Sequence, residues 1–126
     1  MKRNLLKVLL IALIIGLFTA CSKVSDEEIL AGRKAMQNGA LMIDVRSKKE
    51  YNKHHIKGAV NIPIAYLDKM FNHIPRDKEL VVYCHSGSRS AVAARLLREQ
   101  GWTVYDVATE DDWHREIIPK PVQEQK

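Results

Sequence analysis

The chain has 126 residues, 46% of them hydrophobic and 28% charged, a balance that suits one globular domain. The formal net charge of +5 is gathered at the start: Lys2, Arg3 and Lys7 lie in the first seven residues, and no acid precedes Asp26. Taking residues 1–20 away removes three positive charges and no negative one. The remainder sits near neutrality, which gives no argument for nucleic-acid binding.

Residues 1–20 read as a targeting segment rather than part of the fold. A basic start is followed by the apolar run Val8 to Phe18, too short for the roughly twenty residues that span a bilayer. Ordinary signal-peptidase cleavage before Cys21 would put the bulky Phe18 where a small residue is needed. Leu17-Phe18-Thr19-Ala20-Cys21 instead resembles a bacterial lipoprotein lipobox, with Phe18 standing where Leu is usual. The resemblance implies cleavage after Ala20 and acylation of Cys21. It also implies a lipid-anchored protein of the cell envelope, facing the periplasm. Ser22 at the next position points to the outer membrane. Residues 21–24 are then a short lipidated linker, 25–118 the folded domain and 119–126 a polar tail. Two cysteines in an exported chain first suggest a disulfide. With Cys21 acylated, Cys84 has no partner, and a lone thiol in an oxidising compartment is a liability unless it is used.

Ser25 to Glu28 matches a capping box, opening a helix to about Gln37 that Asn38-Gly39 stops. Leu41-Met42-Ile43, ending at Asp44-Val45-Arg46, reads as a buried strand. Ser47 to Glu50 is a second capping box, opening a short helix near Tyr51. Ala59 to Ile62 is a second strand that Pro63 ends. Ala65 to His73 reads as one amphipathic helix, with Leu67, Met70 and Phe71 on one side. Leu80 to Tyr83 is the most strand-like segment of the chain. Ser90 to Gln100 is a strong helix closed by Gly101. Trp102 to Val107 is a further strand, and Asp111 to Ile117 a last short helix. Strands alternating with helices predict a mostly parallel sheet of four to five strands, with helices on both faces. Sites in such sheets form at the carboxyl ends of strands, where Cys84 lies.

The loop Cys84-His85-Ser86-Gly87-Ser88-Arg89 joins that strand to the next helix. Gly87 and the small serines allow a tight bend, and backbone N–H groups turned inward make an anion cradle at a helix start. The same field favours thiolate over thiol. Arg89 adds a positive charge with donors suited to an oxyanion. A thiolate so placed is a ready nucleophile. His85 reads as a residue of substrate access or polarity, and Ser86, Ser88 and Ser90 as small, cap-forming residues. His54 and His55 are adjacent and lack a third ligand at recognisable spacing, so no metal is expected. Trp102 and Trp113 read as packing residues.

Tyr83 to Ser90, with Ala91 to Leu97 after it, resembles the active loop and following helix of single-domain rhodaneses. Ile43-Asp44-Val45-Arg46 with Glu50-Tyr51, and His55 to Pro63, are similar to two further motifs of that family. In its leader and short tail the chain resembles the small exported members called phage shock protein E. The resemblance implies an α/β rhodanese-like fold and a sulfurtransferase that works through a Cys84 persulfide. Its donor would be thiosulfate or another sulfane compound, and its acceptor cyanide or a thiol. It implies no metal and no organic cofactor, and the protein is expected to be a monomer. By the same resemblance, Asp44 and Arg46 shape the active loop from the neighbouring strand. The plainer alternative is an ordinary strand-end ion pair. Four residues separate Cys84 from Arg89, whereas phosphate-processing relatives have five, and the tighter ring suits sulfur. Many relatives carry Gly-Gly after the last strand. Here Ala108-Thr109-Glu110, then Asp111-Asp112, brings acids towards the mouth of the site. The alternative reading is a non-catalytic binding or redox-sensing module on the same scaffold.

Overall fold

A computed structural model describes residues 23–120. The expected leader, Cys21 and most of the polar tail lie outside the described residues. The element order is α1 (Asp26–Gln37), β1 (Leu41–Asp44), α2 (Lys48–Lys53), β2 (Val60–Asn61), α3 (Leu67–Met70), β3 (Leu80–Cys84), α4 (Ser88–Glu99), β4 (Val104–Thr109) and α5 (Glu110–His114). The four strands form one parallel sheet in the order β2-β1-β3-β4. Every residue of β3 is buried, as a strand covered on both faces requires. α3 and α4 pack on one face, around Val82, Leu67, Ala93 and Leu97. α1 and Trp113 of α5 pack on the other, around Ile29, Val81, Tyr83 and Val107. No helix among the described residues is long and apolar enough to cross a membrane.

The structure departs from the sequence pattern in several places. The capping box of α1 forms by half: Ser25 accepts from Glu28 N–H at 3.1 Å. The Glu28 carboxylate turns away instead, to Asp106 N–H at 2.9 Å and Arg98 at 3.2 Å. A donor at the edge of β4 competes better for it than one within its own turn. The capping box of α2 is complete. The single helix expected over Ala65–His73 is broken into a 3-10 turn at Ile64–Tyr66, the one-turn α3, and a second 3-10 turn at Phe71–His73. So short a helix holds its form only through packing. Here Leu67 is the fully buried anchor, and Ile64, Met70 and Phe71 lie against the same cluster. β4 begins at Val104 rather than Trp102, because Trp102 still belongs to the end of α4: its N–H reaches Leu97 O at 3.2 Å. α5 starts at Glu110 and stops at His114, earlier than Ile117. Arg115 there is extended and tied to Asp112 and Val24.

β4 also carries an irregularity that positions the site. Val82 pairs with Asp106 while Cys84 pairs with Thr109, so β4 has one residue more than β3 across this stretch. Such a bulge commonly sits beside active sites and re-aims the next side chains of its strand. Ala108 lies within it at φ +59, and is the one non-glycine residue with positive φ among those described.

Candidate active site

Cys84 ends β3 and is 1% exposed. Its Sγ accepts the Gly87 N–H at 3.0 Å and the Ser90 N–H at 3.3 Å, and lies 3.5 Å from Ser90 Oγ. The local sequence explains this. α4 begins at Ser88, two residues before the start expected at Ser90, because Gly87 at φ +90, ψ −10 turns the chain straight into the helix. Gly87 is the N-cap and has no side chain to receive the N–H of the third helical residue, Ser90. The cysteine sulfur takes that place. Among the described residues, the N–H groups of Ser86, Ser88 and Arg89 bond to no other atom of the chain. They remain available to an anion seated in the loop.

The loop is held from behind by β4. A Cβ built on Gly87 would lie 3.2 Å from the Ala108 Cβ. Ser90 Oγ donates to Gly87 O at 3.1 Å and approaches Ala108 O at 3.5 Å. Asp106 Oδ1 accepts from Ala108 N–H at 2.9 Å, which fixes the bulge. Burial pushes the Asp106 carboxyl up from its ordinary range, against the opposing hydrogen bond from the Ala108 N–H.

From the other side, Asp44 and Arg46 form an ion pair at 2.6 Å, with Asp44 fully buried. The pair does more than close a strand end. Tyr83, next to the cysteine, donates its hydroxyl to Asp44 Oδ2 at 2.8 Å and accepts from Ile56 N–H at 3.0 Å. Burial, then the Asp44 hydrogen bond, hold that hydroxyl protonated well above its usual range. Arg46 lies over the Tyr83 ring and donates to His54 O at 2.6 Å.

Arg89 does not offer its donors to the loop as expected. Its guanidinium meets both oxygens of Glu50 at 2.8 and 2.9 Å, because Glu50 of α2 stands opposite the start of α4. The Arg89 pair, with the Ser47 N–H and hydroxyl, holds the Glu50 carboxyl well below the usual carboxylate range. In the sequence, Glu50 stands out only as a capping residue and part of a motif. The pairing joins residues 39 positions apart, and nothing local in the sequence announces it.

The pocket that contains Cys84 has a volume of about 160 Å³, and Arg46, His85, Thr109, Glu110 and Asp111 share its lining. A larger groove of about 830 Å³ touches Ser86, Gly87 and Ser88 from outside but does not reach the sulfur. His85 is exposed, and Ser86 and Ser88 are exposed and within 3.1 Å of each other. Of the three acids expected near the mouth, Glu110 and Asp111 line the pocket, while Asp112 is drawn off by Arg115 and Thr109. His55 stacks on Tyr51 with ring centroids 3.7 Å apart and bonds its backbone carbonyl, so it serves the turn. Trp102 is buried, with its indole N–H on Pro75 O.

A buried thiol at the carboxyl end of a parallel strand, met by two N–H donors at a helix start, is an arrangement suited to an anion or a group held on sulfur. The family model described as "Rhodanese-like domain" matches residues 29–119, and the chain belongs to that family. A "Putative sulfur carrier protein YrkF" of Bacillus subtilis is 43% identical over 61 residues, covering 48% of this chain and 33% of that protein. A "Thiosulfate sulfurtransferase PspE" of Escherichia coli is 36% identical over 63 residues, covering 48% of this chain and 61% of that one. This chain therefore spans one third to three fifths of those relatives' length. The solved structure of a rhodanese-related protein from Thermoplasma volcanium matches with a TM-score of 0.58 at 30% identity, covering 65% of this chain and 85% of that one.

Proposed function

We propose that the chain is a sulfurtransferase that carries a sulfane sulfur on Cys84. The observation that carries this reading is the pair of N–H groups, from Gly87 and Ser90, directed at Sγ. The thiolate attacks the outer sulfur of a donor such as thiosulfate. An Sγ–S bond forms, the donor S–S bond breaks, and the electron pair leaves with sulfite. A thiophilic acceptor, cyanide or a thiol, then attacks the outer sulfur of the persulfide, and Cys84 leaves as thiolate. The free N–H groups of Ser86, Ser88 and Arg89 stabilise the anionic outer sulfur. Family membership and the sulfurtransferase name of a relative support this reading.

Intact-mass analysis after incubation with thiosulfate or an arylthiosulfonate tests it. One sulfur, about 32 Da, should add to the protein and be removed by cyanide, and Cys84→Ser should show neither change. Loss of phosphate from a model ester, with no adduct from any donor, would refute it. The non-catalytic alternative draws support from the acids at the pocket mouth. It expects no turnover with any donor.

The lipobox resemblance supports a lipid-anchored protein of the cell envelope, acylated at Cys21 and facing the periplasm. Mass spectrometry of the mature N-terminus tests this, and an unmodified terminus at Lys23 or later excludes it.

A further inference from the structure

The charges around the Cys84 pocket do not cancel. Arg46 is the cation in the lining, and Asp44 takes its Nε at 3.0 Å and its Nη2 at 2.6 Å. Arg89, the cation of the loop, is taken by both oxygens of Glu50. Both guanidinium groups beside the sulfur are thus matched by a carboxylate. Glu110 has no such partner. Its Oε1 meets two imidazoles, His54 Nε2 at 2.7 Å and His114 Nε2 at 3.9 Å. Asp111 is exposed, with no cationic group within 4 Å among the described residues. Neither carboxylate meets a guanidinium or ammonium group within 4 Å among the described residues, so two of the residues lining the 160 Å³ pocket bring negative charge without a fixed cationic match. A dianionic donor must bring its reacting sulfur past them, whereas a donor with an ammonium end meets attraction.

We infer that Glu110 and Asp111 are specificity-determining residues, which select sulfane donors without net negative charge, such as the persulfide of an amine-bearing thiol, over thiosulfate. The inference rests on sulfur transfer at Cys84. With such a donor, Cys84 thiolate attacks the outer sulfur of the hydropersulfide and the S–S bond of the donor breaks. The electron pair leaves with the amine-bearing thiolate, and the hydrogen of the outer sulfur stays on the new Cys84 persulfide. No oxidant or reductant is consumed. The donor must come from a reaction that builds persulfides on small aminothiols.

The test is a charge series at pH 8.5 and low ionic strength: thiosulfate, benzenethiosulfonate and cysteamine persulfide. Their net charges run from two negative, through one negative, to zero for the ammonium-persulfide zwitterion, which takes up a proton from solvent on its outer sulfur to give the hydropersulfide that is attacked. The readout is the ratio of kcat/KM for thiosulfate to that for cysteamine persulfide, which cancels changes common to both. In Glu110→Gln with Asp111→Asn the ratio should rise about tenfold, with benzenethiosulfonate between the two. A second arm needs no variant. Added salt should raise kcat/KM for thiosulfate with the unaltered protein and leave or lower that for cysteamine persulfide. A ratio unchanged within about twofold, or thiosulfate turnover that falls with salt, would overturn the selection while leaving sulfur transfer intact. Failure of every donor to add sulfur to Cys84 would overturn both.

Discussion

Replacing Gly87 by alanine probes the join between loop and bulge. Two costs arise. A non-glycine residue at φ +90 and ψ −10 lies in the left-handed half of backbone space, at about 1–2 kcal/mol. The new Cβ meets the Ala108 Cβ at 3.2 Å, a close contact between two groups fixed to backbone, and overpacking of this kind costs about 1–3 kcal/mol. Gly87→Ala should therefore destabilise by about 2–5 kcal/mol, read as a shift in denaturant midpoint at constant m. If the loop relaxes to escape the contact, the Gly87 N–H leaves Sγ. A hydrogen bond to a charged group is worth about 1.5–3 kcal/mol, so sulfur loading should slow about 10- to 150-fold. Ala108→Gly separates the two costs. In the Gly87→Ala background it removes the Cβ–Cβ contact and leaves the φ strain. It should recover about half of the lost stability and most of the loading rate, with a coupling equal to the cost of the contact, about 1–3 kcal/mol. On its own, Ala108→Gly frees a non-glycine residue from φ +59 and loses part of that gain to chain entropy, for a net gain of at most about 1 kcal/mol. A Gly87→Ala protein within about 0.5 kcal/mol of the parent, or a pair of substitutions that simply add, would refute the reasoning.

Three further outcomes rest on the supporting contacts. Tyr83→Phe strands a buried Ile56 N–H and takes a donor from Asp44, so it should cost about 2–3 kcal/mol in chemical unfolding. Glu50→Gln should cost only about 1 kcal/mol at pH 7, because the pair with Arg89 is one-third exposed. Its effect should depend on pH. A carboxyl depressed in the folded state contributes stability above the unfolded value near 4.5 and loses it as pH falls towards the folded one. The parent should lose stability more steeply below pH 4.5, and the two curves should converge in strong acid. Asp106 has the opposite sign. Its raised folded pKa contributes stability below the unfolded value near 3.8, and that contribution is lost as pH rises through the folded one. Asp106→Asn keeps an oxygen for Ala108 N–H, so it should stabilise at pH 7 by up to about 1 kcal/mol and change little at pH 3. Thermal unfolding at the two pH values checks it, and destabilisation at pH 7 alone would show that the charge on Asp106 is needed.

The parts of this fold that could be read from sequence were those written in local terms. The apolar run Leu80–Tyr83 and the small, bendable loop after it located the thiol, because strand burial and tight turning each demand particular neighbouring residues. The Ser47 capping box formed as its spacing implied. The same spacing at Ser25 misled, because Glu28 found better partners in β4 and α4, far away in sequence. Arg89 misled for the same reason: a guanidinium near an anion site suggests a substrate contact, until a carboxylate from α2 claims it. The bulge at Ala108 was hidden, since alanine gives no sign of positive φ where glycine would have done so.

That Cys84 sulfur stands where a capping side chain normally stands has a consequence for the whole domain. The atom proposed to take up and give away cargo is also a structural member of α4. Every chemical state of the thiol is thereby linked to helix stability. A change at Sγ that weakens its hold on the Gly87 and Ser90 N–H groups loosens the first turn, and one that strengthens the hold tightens it. Loaded and empty forms of the protein then differ in stability as well as in mass. Hydrogen exchange at Ser90 would track the sulfur's occupancy from the protein's own backbone, without a reporter dye.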